Sequence, residues 1–252
     1  MTDVIQETAA PEVSSASKDR LNACAMRALD VVVAVALLLL LSPVIVAIAL
    51  LIKLDSRGPV IYRCTRVGRD GTTLMMLKFR KMWNDASGPA LTLAGDVRFT
   101  RVGRFLALSK LDELPQLWNV VRGDMSLVGP RPETSEFTDL LGAMREIVLS
   151  VRPGITGLSQ LAFARESEIL DGDDTVGDYV RRILPQKAHL DSLYVAHASV
   201  GMNLRVLLWT AATTVFRRPV AVDRANGALG VRRRPQVDAE EVPSMALRGA
   251  GQ

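Results

Sequence analysis

The stretch SKLDELPQL, residues 109–117, places two adjacent carboxylates, Asp112 and Glu113, at the start of a predicted helix. Apolar residues recur there at the helical spacing i, i+3, i+4 and i+7: Leu114, Leu117, Trp118 and Val121. Proline is tolerated only in a first helical turn, so Pro115 puts both acids at or just before the helix N-terminus, which favours anions. A lone aspartate there is most often an N-cap, and the paired acid weakens that reading.

Cations surround this acid pair in the sequence. Residues 53–110 contain 12 Lys or Arg and 4 Asp, a local surplus of +8. A solvated basic face explains part of this surplus, but an anionic ligand or lipid headgroups explain its one-sidedness better.

An apolar run at residues 31–52 is long enough to enter a bilayer as a helix, and Ser42-Pro43 interrupts it. Proline removes a backbone hydrogen bond and bends a helix. Basic residues flank the run on both sides: Arg20, Arg27, Lys53 and Arg57. This symmetry favours a broken helix that re-enters the same membrane face, with a kinked spanning helix as the alternative. We expect the Ser42 hydroxyl to bond a carbonyl that Pro43 leaves free.

The remaining patterns predict an α+β fold that is mostly α. Residues 60–62 and 73–77 have strand character around a turn at 69–71, which gives a small β element. Residues 187–194 and 200–216 have helical patterns, and the second is apolar enough for the core or for the membrane interface. Residues 152–158 read as a glycine-punctuated loop. The predicted domains are a disordered tail at 1–20, a membrane region at 21–54, a cytosolic catalytic domain at 55–218 and a disordered basic tail at 219–252.

Composition bounds the chemistry further. The chain has 252 residues, a net charge of +4 and a pI near 9.3. Its two cysteines, Cys24 and Cys64, have no redox or metal spacing, which fits a reducing cytosolic setting. The sequence contains no P-loop, dinucleotide fingerprint or zinc motif. His189 and His197 stand apart and are expected to be structural. We expect no nucleic-acid partner.

Taken together, the motifs resemble the bacterial sugar transferases, the monotopic phosphoglycosyl transferases that act on undecaprenyl phosphate. The resemblance spans residues 22–218. It is carried by the Ser42-Pro43 break, GPVIY at 58–62, RVG at 66–68, KFR at 78–80, LDELPQL at 111–117, GDMSLVGPRP at 123–132 and PGITGL at 153–158. It implies a monotopic protein of the bacterial inner membrane, with interfacial amphipathic helices and the catalytic domain on the cytosolic face.

The resemblance also implies a mechanism. Asp112 would attack the sugar-bearing phosphate of a UDP-sugar and release UMP. Undecaprenyl phosphate would then take the phosphosugar from the aspartate. Mg²⁺ held by Asp112 and Glu113 would offset the repulsion between carboxylate and diphosphate, and Glu113 could alternatively move a proton. Arg131 would bind phosphate, with Lys78 as a second candidate.

Three departures from the family pattern stand out. Relatives commonly carry Arg at the position of Ala107, Thr-Ser at Ser109-Lys110, and Gln at Cys64. Residues three apart on a helix share a face, so we hypothesise that Lys110 replaces the missing cation at 107.

Two other functions stay open at this stage. A glycosyltransferase that passes only the sugar to a lipid would release UDP instead of UMP. A non-enzymatic membrane adaptor with a basic face has no need of paired acids. The sequence leaves the sugar, the pathway and homodimerisation undetermined.

Overall fold

The computed structural model describes residues 12–88, 96–164, 174–216 and 220–231. Among these residues helices dominate, and the strands form three separate two-stranded sheets. The predicted mostly helical α+β architecture is therefore confirmed. The helices are α1 (Glu12–Leu40), α2 (Ser42–Asp55), α3 (Arg101–Ser109), α4 (Gln116–Arg122), α5 (Ser135–Asp139), α6 (Met144–Leu149), α7 (Leu158–Ala162), α8 (Thr175–Asp178), α9 (Leu184–His197) and α10 (Val200–Val215).

Short helical turns lie between several of the helices and strands. A 3₁₀ turn at Arg69–Gly71 joins two strands, a second at Leu111–Glu113 carries the acid pair, and a π-helical turn at Tyr179–Ile183 leads into α9. The strands are β1 (Ile61–Val67), β2 (Thr73–Phe79), β3 (Ser126–Val128), β4 (Gly154–Thr156), β5 (Val220–Val222) and β6 (Leu229–Val231).

The first hairpin confirms the predicted β element. β1 pairs antiparallel with β2 from Ile61–Phe79 to Val67–Thr73, around the turn predicted at 69–71. The loop predicted at 152–158 is partly wrong, because β4 lies within it and pairs in parallel with β3. Glycine permits this pairing: a β-carbon at Gly154 would collide with the backbone of Gly129. The loop after β3 and the loop after β4 are thereby drawn together.

The break between α1 and α2 lies where the sequence predicts it. Pro43 has no N–H to offer the carbonyl four residues back, which belongs to Leu39. The Ser42 hydroxyl donates to that Leu39 carbonyl oxygen at 2.8 Å, as predicted. Within the described part of the chain, one helical segment, Leu21–Leu40, is long and apolar enough to cross a membrane, with a mean hydropathy of 2.3.

Both halves of the broken helix pack on the rest of the protein. Arg27 of α1 donates to the carbonyls of Val120 and Val121 at the C-terminus of α4, at 2.9 and 3.3 Å. The Asp30 carboxylate accepts the N–H of Leu127 in β3. These contacts join α1 to the main core, which is formed by residues including Ala34, Val120, Met125, Leu127, Leu158 and Val206.

After the break, α2 packs on a second apolar cluster. Ile48 and Ile52 are buried against Phe79 of β2 and Leu106 of α3. The Asp55 carboxylate accepts the N–H of Val102 in the first turn of α3, at 3.1 Å. The chain therefore contacts the rest of the protein again along α2, the helix that follows the Ser42-Pro43 break.

The predicted tails differ from the structure at their inner ends. Helix α1 begins at Glu12, inside the segment predicted as a disordered tail; residues 1–11 lie outside the described residues. At the other end, β5 and β6 form an antiparallel hairpin inside the predicted tail at 219–252. Val220 is buried in the main core, and Gly227 takes a positive φ of 70° at the turn. Residues 219 and 232–252 lie outside the described residues.

Candidate active site

Asp112 and Glu113 lie in a 3₁₀ turn that separates α3 from α4. α3 ends at Ser109, and Lys110 adopts a left-handed backbone conformation with φ of 60°. Pro115 is the N-cap of α4 and Asp112 makes no side-chain cap hydrogen bond, so the N-cap reading of Asp112 is wrong. The predicted placement just before a helix start is confirmed.

The buried face of α4 differs from the predicted stripe. Trp118 is 52% exposed, while the polar residues Gln116 and Asn119 are buried. The Asn119 amide explains this rotation, because it accepts the N–H of Leu77 at 3.0 Å and donates to the carbonyl of Met75 at 2.9 Å. Asn119 thus attaches α4 to the outer edge of β2, beside Lys78.

The two acids have different environments although they are adjacent. The Asp112 carboxylate is 2% exposed, and Nζ of Lys81 lies 3.1 Å from its Oδ2 atom. No hydrogen bond of good geometry reaches Oδ2 from the described residues. A carboxylate oxygen with free lone pairs, next to one ammonium group, is positioned for nucleophilic attack.

Glu113 is paired with two cations instead. Its Oε1 atom accepts from Nζ of Lys78 and from the guanidinium of Arg131, each at 3.0 Å. Burial alone would raise the pKa of Glu113, but the charges of Arg131 and Lys78 outweigh it and hold the pKa well below its usual range. Burial lowers the pKa of Lys78, although Glu113 opposes this effect. Glu113 is consequently a poor proton acceptor and a strong anchor for cations.

A cavity of about 510 Å³ joins these groups. All five predicted substrate-site residues line it: Lys78, Lys110, Asp112, Glu113 and Arg131. The structure therefore brings together residues from β2, the 3₁₀ turn and the loop after β3. The predicted helix-break residues, Ser42 and Pro43, lie at the α1–α2 junction and do not belong to this cavity wall.

The cavity is strongly charged on one part of its wall and apolar on another. Its charged lining is Arg66, Lys78, Lys81, Lys110, Arg131, Lys187, Asp112, Glu113 and Glu133. Its apolar lining includes Leu37 of the apolar helix α1 and Leu207 of α10. A ligand that is anionic at one end and apolar at the other would match both parts of the cavity wall.

Sequence reasoning missed Lys81. Its backbone carbonyl accepts the N–H of Thr100, the N-cap of α3, at 3.1 Å, which holds the segment after β2 against the start of α3. A β-carbon at Gly103 would collide with that same carbonyl, so only glycine allows this contact. The one signal in the sequence was the general surplus of cations, which did not single out this lysine.

The hypothesis that Lys110 replaces the cation missing at residue 107 assumed that both residues share a helical face, and this assumption is wrong. Lys110 does not share a helical turn with Ala107, because the left-handed conformation at Lys110 ends α3. Both residues nevertheless line the same cavity. Lys81 is the cation that the structure places against Asp112.

The histidines and cysteines singled out in the sequence lie outside the cavity wall. His189 and His197 bond the backbone carbonyls of Arg224 and Leu193 and are exposed. Cys24 and Cys64 are free thiols. Neither pair contributes to the cavity lining.

Residues 21–217 match the family model described as bacterial sugar transferase. This chain belongs to the bacterial sugar transferase family. The match covers most of α1, the break at Ser42-Pro43, the acid pair and α10, and every residue that lines the cavity lies within it.

The chain is also similar to individual named proteins. The chain is 41% identical over 189 residues to the UDP-glucose:undecaprenyl-phosphate glucose-1-phosphate transferase of Caulobacter vibrioides, covering 73% of this chain and 67% of the relative. It is 38% identical over 194 residues to the UDP-N-acetylgalactosamine-undecaprenyl-phosphate N-acetylgalactosaminephosphotransferase of Aeromonas hydrophila, covering 74% and 43%. It is 36% identical over 204 residues to the exopolysaccharide production protein PSS of Rhizobium leguminosarum bv. phaseoli, covering 76% and 95%.

Several relatives are much longer than this chain. The chain spans between 36% and 43% of five of them, including the Aeromonas protein. The names of the Caulobacter and Aeromonas proteins specify different sugars, glucose for the first and N-acetylgalactosamine for the second.

Proposed function

We propose that this protein transfers a sugar 1-phosphate from a UDP-sugar to undecaprenyl phosphate, through a covalent phosphosugar intermediate on Asp112. The observation that carries the proposal is the contrast between the two acids. Asp112 has an Oδ2 atom without a hydrogen bond from the described residues, whereas Glu113 is held by Lys78 and Arg131. The names of the relatives supply the substrate classes.

In the first step an oxygen of Asp112 forms a bond to the sugar-bearing phosphorus. The bond from that phosphorus to the bridging oxygen breaks, and its electron pair leaves with UMP. In the second step an oxygen of undecaprenyl phosphate bonds to the same phosphorus and the aspartate leaves as a carboxylate. No proton needs to move in either displacement, which agrees with the depressed pKa of Glu113.

The cations have a separate task in this scheme. Approach of a carboxylate to a diphosphate is opposed by like charges, and positioned cations stabilise the charge on the phosphoryl oxygens. Lys78 and Arg131 are fixed by Glu113, and Lys81 is placed beside Asp112. When Asp112 is bonded to the phosphorus, its carboxyl group no longer carries a charge, and Lys81 can pair with the negatively charged phosphoryl oxygens instead.

The acid pair also fits a Mg²⁺ ion of the kind predicted from the family. Mg²⁺ usually binds one or two carboxylates plus substrate phosphates and keeps several waters. Asp112 and Glu113 supply two carboxylates, and the described residues contain no group of three or more side chains that could hold a metal by themselves. When bound, such an ion would neutralise charge on the diphosphate.

The membrane arrangement proposed here is a re-entrant helix. Arg27 and Asp30 on the way in, and Ile52 and Asp55 on the way out, all contact the same body of the protein. Two flanks held on one body would have to lie on one membrane side. As part of this proposal, we expect the protein in the bacterial inner membrane with its catalytic domain in the cytosol.

Cysteine labelling tests that arrangement. Leu21→Cys and Arg57→Cys would be made separately in a Cys24→Ser, Cys64→Ala background, since both positions are exposed. A membrane-impermeant maleimide added to intact spheroplasts should label neither position, and both should react in inverted vesicles. Labelling from opposite sides would overturn the re-entrant model in favour of a spanning helix.

The enzymatic proposal has its own test. Purified protein would be incubated with a panel of UDP-sugars, Mg²⁺ and undecaprenyl phosphate, and the released nucleotide would be identified. The proposal expects UMP in proportion to a lipid diphosphate sugar. Release of UDP would establish a glycosyltransferase instead, and the absence of turnover with every sugar would favour an adaptor.

A further inference from the structure

A second polar cluster lines the cavity outside the acid pair. We name Glu133, Tyr179 and Lys187 the Glu133 cluster. The Tyr179 hydroxyl donates to Oε1 of Glu133 at 2.9 Å, and Nζ of Lys187 donates to the Tyr179 hydroxyl at 3.3 Å. Lys187 also lies 3.9 Å from the same Glu133 oxygen and 4.8 Å from the centre of the Tyr179 ring.

The geometry of this cluster gives Glu133 a fixed orientation. Tyr179 is 1% exposed, and the Lys187 side chain is 7% exposed. A buried tyrosine hydroxyl with one carboxylate acceptor and one ammonium donor has little freedom to move. Only one Glu133 oxygen is used in these contacts, and a carboxylate has about four acceptor positions. The Glu133 side chain is 19% exposed and lines the cavity, so acceptor capacity remains on its open side.

The surroundings of the acid pair and the Glu133 cluster differ in net charge. Around the acid pair, Lys78, Lys81, Lys110 and Arg131 outnumber the two carboxylates. In the Glu133 cluster one carboxylate balances one ammonium. A diphosphate would be attracted to the first cluster and repelled by the Glu133 carboxylate. The Glu133 cluster is therefore suited to an uncharged, hydroxyl-bearing part of the substrate.

The short separation between Arg131 and Glu133 matches the size of the sugar that is attached to the phosphate. Glu133 lies two residues after Arg131, and an extended chain covers at most about 7 Å over two residues. Arg131 is held by Glu113 beside Asp112, where the sugar-bearing phosphate must lie during attack. One sugar ring attached to that phosphate would bridge this interval.

From these observations we propose that the Glu133 cluster binds hydroxyl groups of the transferred sugar and selects which sugar is accepted. This inference rests on the proposed phosphosugar transfer. A carboxylate accepts from one hydroxyl of a neighbouring pair, and an ammonium group can donate to the other. A sugar that differs at one of these hydroxyls would leave a buried polar group unpaired, and such sites discriminate strongly.

Two variants test the proposal without large changes in shape. Glu133→Gln keeps the size and removes the charge, and Tyr179→Phe keeps the ring and removes the hydrogen bond that orients Glu133. Glu136→Gln on α5 is the matched control, because Glu136 is exposed and does not line the cavity. For each protein, kcat/KM would be measured for the best UDP-sugar and for its epimers, together with the inhibition constant of UDP.

For Glu133→Gln we expect kcat/KM with the best sugar to fall about 10- to 100-fold, and discrimination against epimers to shrink. Tyr179→Phe should change discrimination in the same direction with a smaller loss. UDP lacks the sugar, so its inhibition constant should stay within about twofold of that of the unmodified protein. Unaltered epimer ratios would overturn the proposal. An equal loss for UDP would also overturn it, since the cluster would then contact ribose or diphosphate.

Two further measurements distinguish a purely structural role of the Glu133 cluster from a role in sugar selection. Thermal unfolding of each variant shows whether the fold survives, and an equal loss for all sugars together with a lowered melting temperature would overturn the specificity role. Isothermal binding of UDP-sugars and UDP to the Asp112→Asn protein measures discrimination without turnover. If the unmodified protein released UDP instead of UMP, the proposed function would fail while this binding comparison would still report on the cluster.

Discussion

Nζ of Lys81 lies 3.1 Å from Oδ2 of Asp112, at a carboxylate that is 2% exposed. Lys81 is thus the cation nearest to the proposed nucleophile among the described residues, while Lys78 and Arg131 are engaged by Glu113. The segment after β2 thus places a positive charge beside Asp112. This arrangement leads to the first prediction.

Lys81→Ala should lower kcat/KM for the UDP-sugar by about one to two decades. A charge-assisted contact is worth about 1.5–3 kcal/mol, and a factor of ten corresponds to about 1.4 kcal/mol. The loss should be visible in single-turnover UMP release without lipid acceptor, because Lys81 serves the first displacement. Lys81→Arg should recover part of the rate. A Lys81→Ala protein with the single-turnover rate of the unmodified enzyme would contradict this role.

Lys110 provides the second prediction. It lines the cavity and forms no ion pair within the described ranges, so it can contact substrate phosphate directly. Lys110→Ala should raise KM more than it lowers kcat, with a loss in kcat/KM of about one to two decades. Ala107→Arg combined with Lys110→Ser, which restores the common family pattern, should regain much of it. Unchanged kinetics in Lys110→Ala would make this lysine an ordinary surface residue.

Glu113→Gln should be severely impaired in turnover, because Lys78 and Arg131 lose the charge that fixes them. The same ion pairs predict a pH dependence of stability. The pKa of Glu113 is held below its ordinary value of 4.5 in the folded protein, so its stabilisation is complete above about pH 4.5. It is lost as the pH falls from there towards the folded-state pKa.

Chemical unfolding of both proteins at pH 7 and at pH 3.5 measures this effect. The difference in unfolding free energy between the unmodified protein and Glu113→Gln should be larger at pH 7. An equal difference at both pH values would mean that the ion pairs do not stabilise the fold.

Asp191 predicts the opposite pH trend. Burial raises the pKa of its carboxyl to about 7, although hydrogen bonds from Ser159 and from the Arg131 backbone oppose this. Its folded-state pKa exceeds its ordinary value of 3.8, so ionisation destabilises the fold progressively as the pH rises from about 4 to about 7. Asp191→Asn should therefore be more favourable, relative to the unmodified protein, at pH 8 than at pH 5. Melting temperatures at both pH values test this, and a constant difference would refute it.

The sequence predicted those features that depend on local chemistry. Pro43 removes one hydrogen-bond donor at a known position, so the partner of the Ser42 hydroxyl could be anticipated. Turn residues at 69–71 marked the first hairpin, and Pro115 fixed the start of α4. Features that depend on tertiary contacts could not be read in this way.

Trp118 illustrates that limit. Its place in the apolar stripe predicted burial, but the contacts of Asn119 with β2 turn Trp118 outward. The β5–β6 hairpin was missed because its strands are three residues long and lie between basic clusters. Lys81 was missed because its role depends on the distance to Asp112, which is remote in sequence.

The most direct test of the account is to trap the intermediate. The unmodified protein would be incubated with a UDP-sugar labelled in the sugar-bearing phosphate, without lipid acceptor, and then digested for mass spectrometry. We expect close to one UMP per active protein and a sugar phosphate on the peptide that contains Asp112, discharged when undecaprenyl phosphate is added. Asp112→Asn, which preserves size at a buried site, should fold normally and carry no label. A labelled Asp112→Asn protein, or turnover by the unmodified enzyme with no adduct at any time, would contradict the central claim.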